Sequence, residues 1–118
     1  KDEKTFASTI IQLEKLGFSL HMFNRVNTRS FKPTVISKNP YMGLHHLFQL
    51  DCVLIKNLKM IESYNTNNLK KLILILFHSF KSYDLVDYLV RLLDKKTNEK
   101  NIDKFRKILS KIKIEKKY

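Results

Sequence analysis

A chain of 118 residues fits one domain and is long enough to enclose one core. Its apolar share of 43% and charged share of 29% sit near globular averages, which excludes wholesale disorder. Lys+Arg 23 against Asp+Glu 11 leaves a net charge of +12, a field that draws nucleic acid, an anionic membrane surface or an acidic protein.

Helical spacing dominates the chain. Thr5 to Leu16 reads as a first helix with Phe6, Ile10 and Leu13 on one face, and Gly17 stands where a left-handed C-terminal cap belongs. Ser19 is the cap of a short second helix to Val26 that buries Leu20, Phe23 and Val26. Thr28 to Asn39 breaks the pattern with Pro33 and three cations, and reads as an extended loop. Asn39-Pro40 is a helix start, and Leu47, Leu50, Leu54, Leu58 and Ile61 then form one stripe of a long helix ending near Tyr64.

After a polar joint, Asn65 to Asn68, a helix runs from Leu69 to Phe80. Its block Leu72 to Phe77 is apolar all round and marks it as the central element. Ser82 or Asp84 opens a further helix with Leu85, Leu89 and Leu92 on one stripe and Val86, Val90 and Leu93 beside it. Beyond Thr97 to Asn101, the last helix buries Ile102, Phe105, Ile108, Leu109 and Ile112. At about 14 residues it must dock to be stable. Residues 68–76 and 101–109 echo each other at an offset of 33, a period that suits helical hairpins but is explained by chance in two such simple copies. The fold expected is a single basic all-α domain spanning residues 1–118, a compact bundle or short helical-hairpin array of five or six helices, and a fragment or mature piece of a longer protein.

The last helix carries the clearest functional pattern. Lys100, Lys104, Lys107 and Lys111 recur at spacings of 4, 3 and 4, which sets their ammonium groups on one face opposite the apolar stripe. Arg106 and Lys113 widen that row. From Asp94 to Tyr118 there are 10 cations against 4 acids, so half the net charge lies in the C-terminal fifth. A row of point charges tracks phosphates without reading bases. Against it stands the bland alternative of a solvated helix face. Lysines outnumber arginines 19 to 4, so bidentate base readout is not favoured, and an AT-rich genome supplies part of the charge by drift.

Other chemistry finds little support. Cys52 is the single cysteine, so no intrachain disulfide or thiolate metal site forms, and the setting expected is reducing and intracellular. Adjacent His45 and His46 diverge on a helix, and His21 and His78 lie elsewhere, so no metal or other cofactor is expected. The acids Asp51, Glu62, Asp84, Asp87 and Asp94 are scattered singly, although Asp84 and Asp87 can share a cation. No glycine-rich phosphate loop exists, so no catalytic residue is named. Tyr64 and Tyr83, at joints, are the tyrosines best placed to stack on bases.

The function expected is therefore non-enzymatic binding of nucleic acid through its backbone phosphates, RNA ahead of DNA, without a transmembrane segment. The alternative is a protein-interaction or scaffold domain presenting a helical groove, with an acidic protein surface as partner and Phe31, Val35, Ile36 and Met42 as the contact.

Overall fold

The computed structural model describes residues 4–113. The chain divides into two units, Lys1–Asn57 and Leu58–Tyr118. The all-α expectation is overturned, because the described residues form five helices and a two-stranded antiparallel sheet. The fold is mixed.

In the first unit, α1 (Phe6–Lys15) is opened by Thr5, whose side chain accepts from the Ser8 amide at 3.1 Å. Gly17 follows the C-cap with φ 92°, a left-handed turn that a side chain resists. Strands β1 (Phe18–Thr28) and β2 (Leu47–Lys56) then replace the second helix and most of the long helix that spacing suggests.

The reason lies in the register. Leu20, Phe23 and Val26 pair with Leu54, Cys52 and Leu50, while the ladder shifts between Leu20 and Met22 and again between Phe23 and Arg25. Each shift inserts one residue, and a bulge restarts the up-down alternation. Apolar residues three apart consequently stay on one face of β1, although an unbroken strand would alternate them. The stripe is real, but a bulged strand carries it rather than a helix. On β2, Leu50, Cys52 and Leu54 keep the ordinary period of two.

That face meets α1. The rings of Phe6 and Phe23 lie edge to face at 6.3 Å, and Phe6, Ile10 and Leu13 border the same recess as Leu50, Cys52 and Leu54. Two further strand pairs are polar: Arg25 with Asp51 at 3.7 Å and Asn27 with Gln49 at 3.2 Å. In the long connection, Arg29 stacks over Phe48 at 4.2 Å. A Cβ at Gly43 would overlap the Arg29 backbone, so only glycine fits there. None of the described residues in this unit is fully buried. Phe23, against the Phe6 ring of α1, remains 37% exposed, and Val26 remains 53% exposed.

The second unit holds α2 (Leu58–Glu62), α3 (Thr66–His78), α4 (Tyr83–Thr97) and α5 (Asn101–Ser110). Leu58 and Ile61, assigned by spacing to one long helix with Leu47, Leu50 and Leu54, stand instead on the short α2. Asn65 caps α3 by accepting from the Asn68 amide at 2.8 Å, and Asn98 closes α4 in the left-handed conformation with φ 57°. Every buried apolar side chain among the described residues is here: Ile61, Leu69, Leu76, Val86, Leu89, Val90, Leu93 and Phe105. Four of the eight come from α4, at spacings of 3, 1 and 3 that make one stripe about 100° wide. The centre is thus α4 and not the Leu72–Phe77 block, whose Leu74 and Ile75 are 57% and 51% exposed.

Truncating the centre should cost much more than truncating the sheet. Leu89→Ala empties a fully enclosed site and should lose about 2–5 kcal/mol, while Leu20→Ala, at a partly exposed position, should lose about 1 kcal/mol. Urea denaturation followed by circular dichroism compares them, and equal losses would refute this location of the core.

Candidate binding surface on the helical unit

Helix α5 is held in place by two carboxylates of α4. Asp94 accepts from the Asn101 amide at 3.0 Å and from the Ile102 amide at 2.9 Å, one oxygen to each. Asp87, two turns earlier, accepts from Arg91 at 2.7 Å and lies 3.5 Å from Arg106. Earlier positions on α4 therefore meet later positions on α5, and the two helices run antiparallel. Two other acids nearby are engaged too, whereas Asp103, in the first turn of α5, is exposed and has no side-chain partner among the described residues. Glu62 accepts from the Tyr88 hydroxyl at 2.8 Å, which pushes the Tyr88 phenol above its ordinary value, and Glu99 accepts from the Asn101 side chain at 2.8 Å.

This network divides the basic residues of α5 into two groups. Lys100 stands at the N-cap, Lys104 and Lys107 in the helix, Lys111 at the C-cap and Lys113 just beyond, all exposed. None of the five ammonium groups has an ion-pair or hydrogen-bond partner among the described residues. Arg106 is different. Helical rotation sets it away from the Lys104–Lys107 side, and it points to Asp87 instead. The α5 amide end is likewise engaged by Asp94, so an anion meeting this helix would have to be held by lysine side chains rather than by backbone donors.

Beside the lysines lies a groove of about 380 Å³. Val90 and Leu93 of α4 form its floor, Ile73 and Leu74 of α3 one wall, and Phe105 and Ile108 of α5 the other. Lys70, Asn101 and Lys104 stand at its edge. It lies where α3 and α5 both pack against α4, and its exposed apolar surface comes from the two walls rather than from the α4 stripe. The lips stay wet: Leu74 is 57% and Ile108 53% exposed.

The contact set Phe31, Val35, Ile36 and Met42 is scattered along the connection between the strands. Phe31 packs on His46 at 4.3 Å, Ile36 bridges to Asn39, and Val35 and Met42 are 54% and 42% exposed. The recess at the base of that connection is lined by Arg29, Tyr41, Phe48 and their neighbours and includes none of the four. Of the two tyrosines, Tyr83 packs on Phe77 at 5.3 Å, and the Tyr64 carbonyl accepts from Lys96 at 2.9 Å. No group of three or more potential metal-ligating side chains occurs among the described residues, and none of their helices is long and apolar enough to cross a membrane. No protein-family model, curated protein or solved structure matches this chain.

Removing the carboxylate that seats α5 provides a direct check. Asp94→Ala leaves two helix-end amides without their acceptor and should cost about 1–2 kcal/mol, with faster hydrogen exchange at Asn101 and Ile102. Asp94→Asn keeps one neutral acceptor and should cost less. Unchanged exchange at both amides in the alanine variant would show that the cap does not hold the helix.

Proposed function

We propose that this chain is a non-enzymatic binding domain that contacts nucleic acid through its backbone phosphates, using Lys100, Lys104, Lys107 and Lys111. The observation that carries the proposal is the division of charge on α5. Its lysine ammonium groups are exposed and unpaired among the described residues, while Glu62, Asp87, Asp94 and Glu99 are engaged in capping, pairing or hydrogen bonding within the unit, and Asp103 offsets one charge of the row. Neighbouring lysines three or four residues apart stand about 5–6 Å from one another on a helix, a spacing at which each can meet a separate phosphate. The helical unit, Leu58–Tyr118, carries 15 cations against 7 acids, so its long-range field favours a polyanion.

Lysine is a point charge on a flexible stem, which suits phosphate contact and gives no means of choosing a base. Single-stranded or irregular RNA is the preferred form of the ligand, because no helix rich in Arg, Asn or Gln is offered to a DNA major groove. Arg106 and Lys113 belong to the same basic segment, but Arg106 is already committed to Asp87.

A titration of RNA and DNA oligomers over a salt series tests this. Four phosphate contacts should give a slope of log affinity on log salt of roughly −3 to −3.5. Lys107→Gln with Lys111→Gln should flatten it by about 1.5 and weaken all sequences alike, whereas Arg106→Gln should leave it nearly unchanged. Failure of a folded sample to bind any oligomer at low salt would overturn the proposal. A slope that falls only with Arg106→Gln would move the contact to the opposite side of α5.

A further inference from the structure

We infer that the groove between α3 and α5 seats one amphipathic helix of an acidic partner protein. This inference concerns a surface of different chemistry from the lysine row and does not depend on nucleic-acid binding. The groove is bounded by two helices with a third as its floor, so it is an elongated trough. The stretch from Asn101 to Ile108 along its wall covers seven steps, about 10 Å at 1.5 Å per residue, which matches two turns of an incoming helix. Such a trough takes apolar anchors at i, i+3 or i+4, and i+7.

The apolar lining says what enters. Val90 and Leu93 on the floor are almost enclosed at 6% exposure, yet Leu74 and Ile108 above them are more than half exposed, so an occupant would complete their burial. A phosphate gains nothing from carbon walls, which sets the groove apart from the lysine row.

Charge says what flanks it. The lining residues include two lysines, Lys70 and Lys104, and no carboxylate. An occupant with Glu or Asp beside its apolar stripe would pair with both. A second copy of this chain brings its own +12 to the contact and is opposed by repulsion.

The test uses the whole chain and designed helical peptides of about 16 residues, near the length at which a helix holds together in water. One has Leu at i, i+3, i+4 and i+7 with Glu on both flanks, a second has Lys in place of Glu, and a third has Ser in place of Leu. Fluorescence anisotropy should show saturable binding of the acidic peptide, binding at least about tenfold weaker for the lysine peptide, and none for the serine peptide. Backbone amide shifts should centre on residues 70–74 and 101–108.

Leu74→Glu and Ile108→Glu, at positions already exposed, should each weaken binding about tenfold, with circular dichroism unchanged. Lys70→Glu with Lys104→Glu should invert the preference to the lysine peptide, a reversal that mere loss of structure would not produce. Equal binding of the acidic and lysine peptides, or amide shifts elsewhere, would overturn the inference. So would self-association in sedimentation that Leu74→Glu abolishes, which would assign the groove to a second copy. Lys107 and Lys111, which report on nucleic-acid binding, lie outside the groove lining, so the two proposals fail separately.

Discussion

The buried stripe of α4 is the constraint on which the helical unit depends. Val86, Leu89, Val90 and Leu93 face inward together, and α3 and α5 both pack against this one helix. At about 1.5–3 kcal/mol for each large apolar side chain fully removed from water, this stripe is the largest local source of stability in the unit. Its polar flank does the orienting. Asp87 and Asp94, seven residues apart on α4, reach Arg106 and the α5 amide end and so fix both the direction and the position of α5. On another side of α4, Tyr88 and Lys96 bond to Glu62 and to the Tyr64 carbonyl, which ties in α2 and the turn that follows it.

The binding surfaces follow from that arrangement. Since Asp87 and Asp94 are engaged in holding α5, the charge left on that helix is mostly positive, with Asp103 as its one acid. Since α3 and α5 both pack on α4 and leave Leu74 and Ile108 exposed, a trough remains with Val90 and Leu93 at its base. One helix thereby generates both a charged face and an apolar groove, with Lys104 at their shared edge. The first unit rests on a different footing. A two-stranded sheet is marginal by itself, and α1 covers one face of it while Phe48, at 59%, and Leu47, at 48%, stay exposed.

How much of this could be read from the residues differs between the units. The last three helices were legible because Leu69 to Phe80, Ser82 to Leu93 and Ile102 to Leu109 have unbroken helical spacing between polar joints, and the joints carry real caps at Asn65 and Asn98. The strands were not legible, because two bulges in β1 give Leu20, Phe23 and Val26 a spacing of three, and the 3, 4, 4, 3 run from Leu47 to Ile61 crosses from a strand into a helix. The β-branched and aromatic residues Phe48, Val53 and Ile55 in β2 were the available signal for a strand. At the candidate site the lysine row could be counted, but the groove could not, since its floor and walls come from three helices. The spacing of Asp87 and Asp94 on one flank of α4 was the overlooked clue, because two acids seven apart mark a line along which another element can be bonded.

Native-state hydrogen exchange on the whole chain tests the primacy of α4 most directly. The account predicts that the slowest amides are those of Leu89, Val90 and Leu93, that buried positions of α3 and α5 exchange somewhat faster, and that β1 and β2 are the first to open. Strand amides that outlast those of α4 would contradict it, because the enclosed stripe would then not be what the helical unit is built around.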